Sequence, residues 1–195
     1  MPAPSIHAFA EKVTLIVGGA TGVGRAVALQ LALQGAYVIV AFSQETAGTK
    51  RAVEELKTLG TLAHAIEFQD AESLIDEVEK IYGRIDFLVN CVKSGADSSF
   101  QIDTLTRASA RLMKARPKPA IVNVGGDENI ALETKKFAGE LAPKFRVNCV
   151  IEKAKPAIVE HDLFTVSTAD DTARVVTFLL SSEARALNGQ VLYIG

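Results

Sequence analysis

Thr14-Leu15-Ile16-Val17-Gly18-Gly19-Ala20-Thr21-Gly22-Val23-Gly24-Arg25 runs on as Ala26-Val27-Ala28-Leu29-Gln30-Leu31-Ala32-Leu33, and its reading decides the fold. A short apolar run breaks at a glycine-rich turn. Beyond it, Gly24, Val27, Ala28 and Leu31 fall at i, i+3, i+4 and i+7, one face of a helix. The stretch reads as strand, tight loop and helix. Such a loop brings backbone N–H groups and the positive end of a helix dipole against a phosphate. Glycines suit it because a Cβ would block the approach or forbid the backbone angles.

The same alternation continues outward. Residues 1–11 read as a loose lead-in, 13–18 as the first strand and 22–34 as the first helix, stopped by Gly35. Residues 36–42 form a second strand. Ser43 is a candidate cap for the next helix, which runs to Leu59 with Gly60 at its C-terminal stop. A third strand covers 62–68. Asp70 caps a helix with the apolar stripe Leu74, Ile75, Val78, Ile81 and Tyr82, ended by Gly83. Residues 85–91 are strand four, and the polar run 93–99 leads into a helix over 100–115. Strand five (120–124) precedes a helix whose inward face is Ile130, Thr134, Phe137 and Leu141. Strand six (145–151), a helix capped by Thr168 and a last strand (190–194) complete the chain.

Continuously apolar strands that alternate with helices call for a parallel sheet covered on both faces. The expected fold class is α/β: a doubly wound, mostly parallel, seven-stranded sheet in a single domain over 1–195. Its ligand crevice lies at the C-terminal ends of the strands.

Composition narrows the function classes. The 21 Lys and Arg balance 23 Asp and Glu, and no basic run or aromatic-basic interleaving points to nucleic acid. No apolar stretch is long enough to cross a membrane, and the N-terminus has no secretion-signal pattern. Cys91 and Cys149 read as reduced core thiols of a cytosolic protein; Cys91 is weighed as a nucleophile and read as a small buried residue. His7, His64 and His161 are scattered, and no metal-ligand spacing occurs.

Gly18, Gly22 and Gly24 give G-x3-G-x-G, distinct from G-x-G-x-x-G. This resembles the glycine loop of the short-chain dehydrogenases/reductases, with Val17 where that family usually has Thr. Further segments resemble the family in the right order: Gly83-Arg-Ile-Asp-Phe-Leu-Val-Asn90, Ala120-Ile-Val-Asn-Val124, Glu140-Leu-Ala-Pro-Lys-Phe-Arg-Val-Asn-Cys149 and Asn188-Gly-Gln-Val-Leu-Tyr-Ile194.

The resemblance implies a Rossmann fold with a nicotinamide dinucleotide, NADP or NAD, at the sheet's C-terminal edge. Gly18, Thr21, Gly22, Val23 and Gly24 would follow the pyrophosphate and adenosine ribose. Phe42 and Ser43 stand where NAD-preferring members carry Asp, which leans toward NADP, although the family's usual basic partners are missing too. Glu67 and Phe68 fall at the adenine position. Asn90 matches the first Asn of the family's N-N-A-G, while Asn90 and Asn123 also read as strand-end hydrogen bonders.

The family's catalytic residues have no counterpart. The Ser position is Gly126, and none of Tyr37, Tyr82 and Tyr193 has Lys four residues on. Lys135 and Lys136 fall about two turns beyond the family's catalytic Lys, counted back from Glu140. Asn90 to Gly126 spans 36 positions and Gly126 to Glu140 spans 14. Each interval is short of the family's by about four helical turns. Both shortfalls fall at helix N-termini beside the crevice. The loop after strand six, Glu152-Lys-Ala-Lys-Pro156, is short as well.

Arg107, Arg111, Lys114 and Arg116 read as a solvated helix face. Three functions stay open: a dinucleotide-binding protein without the usual chemistry, an oxidoreductase using other groups, and an interaction module with a relic site. A homodimer is compatible with all three.

Overall fold

The computed structural model of the chain describes residues 8–59, 62–92, 95, 97–152 and 169–195. The elements follow in strict alternation: β1 (Val13–Val17), α1 (Gly22–Leu33), β2 (Tyr37–Phe42), α2 (Ala47–Thr58), β3 (Ala63–Glu67), α3 (Ala71–Tyr82) and β4 (Phe87–Cys91). Then come α4 (Ser98–Met113), β5 (Ala120–Gly125), α5 (Glu128–Glu140), β6 (Arg146–Glu152), α6 (Ala169–Leu180) and β7 (Val191–Ile194). The sheet order is β3-β2-β1-β4-β5-β6-β7, and every neighbouring pair is parallel. The winding reverses at β1, so the β1 and β4 ends flank the crevice expected at such a switch point.

Side chains on successive strand residues go to opposite faces. Leu15, Leu88 and Ile121 pack with Leu74, Ile102 and Phe137 of α3, α4 and α5. Ile16, Val38 and Val89 pack with Val27, Leu56 and Val176 of α1, α2 and α6. This is why β1 is buried throughout and reads as an unbroken apolar run.

Buried Asp86 and half-buried Arg146 fix the far end and the right edge. Asp86 accepts from the Val13 N–H at 3.0 Å and from Arg116 Nε at 2.8 Å. The Arg146 guanidinium donates to the carbonyls of Leu179 (2.7 Å), Leu180 (3.1 Å), Ser181 (3.2 Å) and Ala184 (3.1 Å), closing the C-terminus of α6.

Several expectations are corrected. The cap of α2 is Thr46, not Ser43: Thr46 and Thr49 form a reciprocal capping box, so the helix starts later. The lead-in is tied down where it is described. Phe9 is 2% exposed, meets Phe87 edge to face at 5.6 Å, and its N–H donates to Gln34 O. Helix α4 begins at Ser98, two residues earlier than expected. Arg107, Arg111 and Lys114 are exposed, as expected of a solvated face, with Arg111 paired to Asp76 and Glu79 across it; Arg116 departs from that reading and reaches buried Asp86. Asp70 caps α3 and Gly83 ends it in the left-handed region, as expected. Gly60, Lys93, the expected cap Thr168, His7, His161 and residues 153–156 lie outside the described residues. Among the described residues, no helix is long and apolar enough to cross a membrane.

Candidate functional site

The glycine turn packs the end of β1 tightly against its surroundings. A Cβ on Gly18, whose φ is +76°, would lie 2.5 Å from the Cys91 carbonyl oxygen. A Cβ on Gly24 would lie 2.3 Å from the Gly18 carbonyl oxygen, so the first turn of α1 sits directly on the loop. Gly22 differs: its φ is +53°, and nothing lies within 4 Å of where its Cβ would be. Two glycines are thus explained by internal packing, while the third opens onto free space.

The start of α1 is also bare. Thr21 is extended and makes no side-chain cap bond, and the first turn holds no acidic residue. Helices α2, α3 and α5 are capped by Thr46, Asp70 and Asp127. The uncapped N–H groups of α1 carry the positive end of its dipole beside open space, an arrangement that suits an anion.

Next to it lies a cleft of about 660 Å³. Gly18, Ala20 and Thr21 form its floor, and Phe42, Ser43, Gln44, Thr46 and Thr49 form the wall at the end of β2. Phe68, Gln69 and Asp70 close the β3 side. Cys91 and the α4 residues Phe100, Gln101, Thr104 and Leu105 stand opposite. Asp70 is the charged side chain among these lining residues. The Ser73 backbone N–H and hydroxyl hold its carboxyl below the ordinary Asp range. Arg25 and Lys50 flank the region, but Glu55 pairs with the first and Glu45 with the second at 3.3 Å.

Of the residues singled out in the sequence, Gly18, Thr21, Phe42, Ser43 and Phe68 line the cleft, and Gly22 opens beside it. Gly24 is buried under the loop, and Val23 packs against the core. Glu67 is absent from the cleft lining. It borders a separate shallow hollow with Ser73 and Glu77, because β3 alternation puts Ile66 and Phe68 on the other face. Asn90 is fully buried and is not a lining residue. Its amide donates to Asn123 Oδ1 at 2.9 Å, and Asn123 Nδ2 donates to Thr134 Oγ1 at 2.9 Å. The strand-end reading of both asparagines therefore holds. Asn90 Oδ1 is buried with no partner among the described residues.

Sequence reading missed the α4 wall. Its signal was present: Phe100, Gln101, Thr104 and Leu105 follow helical spacing along one edge. It also missed Gln44, Thr46, Thr49 and Gln69, whose polar types alone do not mark a lining role.

The acid–base side is bare among the described residues. Gly126 is exposed where the resemblance puts Ser. Tyr37 and Tyr82 stack on each other at 5.7 Å, at the start of β2 and the end of α3, the sheet edge away from the crevice. Tyr193 is the phenol on the crevice side, and its hydroxyl donates to the Glu128 carboxylate at 3.1 Å. That carboxylate pushes the phenol above its ordinary value, away from what a general acid or base needs near neutral pH. Lys136 is held by Asp103 at 2.8 Å and Glu133 at 2.9 Å. Burial, with a smaller push from Glu152, takes the Cys91 thiol up to about 12, so it is a poor nucleophile. No group of three or more His, Cys, Asp or Glu is placed to hold a metal among the described residues.

Comparisons with known proteins match this geometry. The family model described as short chain dehydrogenase matches residues 12–107. Dehydrogenase/reductase SDR family member 4 of Rattus norvegicus is 26% identical, with 95% of this chain and 86% of that protein covered. Tropinone reductase-like 3 of Erythroxylum coca is also 26% identical, over 95% of this chain and 92% of the other. The alignment to the rat protein is 243 residues long, against 195 in this entire chain. The relative therefore carries segments with no counterpart here, consistent with the shortened intervals around Gly126.

Among solved structures, a short chain dehydrogenase from Burkholderia cenocepacia J2315 in complex with NADP superposes with a TM-score of 0.80 at 23% identity, over 98% of both chains. A hydroxysteroid dehydrogenase from Escherichia coli gives a TM-score of 0.83 at 21% identity, over 98% of this chain and 99% of that one. In its glycine loop, its parallel sheet wound outward from β1 and relatives that align over nearly its whole length, the chain is similar to the short-chain dehydrogenases/reductases and has their fold.

Proposed function

We propose that this protein binds a nicotinamide dinucleotide through the glycine turn and the adjoining cleft, without the Ser/Tyr/Lys chemistry usual in that family. The observation that carries the reading is the pairing of an uncapped α1 start with a glycine, Gly22, that faces open space. Gly18, Thr21, Gly22, Val23 and Gly24 would form the diphosphate side through their backbone. Phe42, Ser43 and Phe68 would flank the adenosine.

When bound, the dinucleotide supplies hydride exchange. The family's acid–base partners for that exchange have no counterparts among the described residues. The neutral end of β2 does not repel a 2′-phosphate, which supports NADP over NAD as the preferred form. The reading takes the protein as one cytosolic domain that can pair as a homodimer.

Thermal-shift titration with NADP(H) and NAD(H) tests the reading. A ligand held at a hundred times its dissociation constant adds about 2.7 kcal/mol. A shift with one of the four supports binding; none with any of them overturns it. A panel of carbonyl substrates with NADPH then tests the missing chemistry. Turnover with any of them would place the chain with active oxidoreductases instead.

A further inference from the structure

The end of the sheet opposite the crevice gathers positive charge. All strands are parallel, so the chain enters the neighbouring strands β1, β4, β5 and β6 from one end of the molecule. Lys12 precedes β1, and Arg84 precedes β4. The turn between α4 and β5 carries Lys114, Arg116 and Lys118, and Lys144 precedes β6. These six cations meet two carboxylates on the same segments, Glu11 and Asp86, in a chain whose net charge is −2. The remainder of the chain is therefore net acidic.

Contacts hold the group together. The Asp86 carboxylate lies 2.8 Å from Arg116 Nε, 3.7 Å from Arg84 Nε and 3.9 Å from Lys12 Nζ. One buried negative charge thus faces three positive ones. The Arg146 N–H donates to Pro119 O, which sets the Lys144 turn beside the Lys118 turn. Lys114, Lys118 and Lys144 are exposed and have no ion pair among the described residues. Residues 1–7 contain no Asp or Glu that could neutralise them. Helix dipoles account for part of the pattern, since Lys114 directly follows α4 and complements its negative end. Lys118 and Lys144 stand beyond the last helical turn, where that effect fades.

Strands about 4.8 Å apart make the row roughly 14 Å long from β1 to β6, the length of about five residues of extended chain. The large apolar side chains that are exposed, such as Phe100 and Leu132, lie on other segments. The row presents no exposed ring for a base to stack on and no wedge for a bilayer. A long polyanion would also overrun the row and meet the acidic remainder of the chain, whereas a short one would not.

We infer that this end of the sheet is a docking surface for a short acidic polypeptide segment, about five extended residues rich in carboxylates. The guanidinium forks of Arg84 and Arg116 and the lysine ammonium groups suit carboxylates directly. The surface lies at the opposite pole from the cleft, so the inference stands or falls independently of the dinucleotide reading.

Fluorescence polarisation of a labelled hexaglutamate peptide against the full chain tests it, beside a single-stranded oligonucleotide and phosphatidylserine-containing vesicles. The peptide should bind at about 50 mM salt and weaken roughly tenfold at about 200 mM. Combining Lys114→Glu, Lys118→Glu and Lys144→Glu should weaken it roughly tenfold at the lower salt. The same charge change at Lys50, Lys57 and Lys135 should alter it by less than about threefold. Lys114→Gln, Lys118→Gln and Lys144→Gln together give a milder variant, expected to lose about fivefold with native circular dichroism. No peptide binding, equal losses from the two reversed triples, or tighter binding of the oligonucleotide or the vesicles than of the peptide would overturn the inference.

Discussion

Asp127 and Ser98 join the first turns of α5 and α4. The Asp127 carboxylate accepts from Ser98 Oγ at 3.1 Å, and also from the N–H groups of Gly95 at 3.1 Å and Asn129 at 2.9 Å. One side chain thus caps a helix and closes the gap between two helices at their crevice-side ends. Asp127→Ala removes the cap and strands a buried hydroxyl. The expected cost is about 2–3 kcal/mol, read from the urea midpoint at unchanged m-value. Asp127→Asn keeps an acceptor and should recover about half of that loss.

The glycines of the turn should separate by phenotype. Gly24→Ala drives a methyl group into the Gly18 carbonyl, with backbone on both sides of the clash. Destabilisation of about 3 kcal/mol or more is expected, visible in thermal melts with no ligand present. Gly22→Ala meets nothing in the chain and carries only left-handed backbone strain, about 1 kcal/mol. It should nonetheless abolish the nucleotide-induced thermal shift, because the new methyl group occupies the space left for the ligand.

Arg146 is held by carbonyls alone, four of them at the end of α6 and the turn that follows. Arg146→Met leaves these acceptors unanswered at a half-buried position. We expect a loss of about 3 kcal/mol, or about 6 °C or more in Tm for a chain of this size. Arg146→Lys should recover less than half, since an ammonium cannot reproduce the planar fork.

The Cys91 thiol gives a pH signature. Its proton is held up to about 12 in the fold, against 9.0 for the unperturbed group. Because the folded value is the higher one, this contribution is complete below about pH 9 and is lost as the pH climbs toward 12. Stability measured by urea titration should therefore fall across that window. Cys91→Ala should flatten the fall in part, leaving the component from Cys149, whose thiol burial also raises. At pH 8, iodoacetamide should leave Cys91 unmodified in the native protein and label it in urea.

The parts of this molecule that follow from local chemistry could be read directly from the chain. Strand–helix alternation, the Asp70 cap, the Gly83 stop and the glycine spacing all depend on residues a few positions apart. Features set by distant partners could not. Phe9 is an isolated aromatic residue in a Pro-rich lead-in, and only Phe87 explains its burial. Arg116 looks like one more basic residue at a helix end until Asp86 is placed beside it. The sequence points to Ser43 as the α2 cap, whereas the Thr49 hydroxyl and N–H bond to Thr46 and put the cap three residues on. Glu67 and Phe68 differ by one position along an edge strand, so strand register alone determined which of them reached the cleft.

The cleft draws its described lining from Val17–Leu105, and the family model matches 12–107. Heritable changes should therefore fall into two kinds. Substitutions at exposed lining positions such as Ser43, Gln44 and Gln69 would spare the amount of protein in a cell and, on the function proposed above, weaken its hold on a dinucleotide. Those at packed positions in either half, Gly24 under the glycine turn or Arg146 at the end of α6, would lower abundance instead.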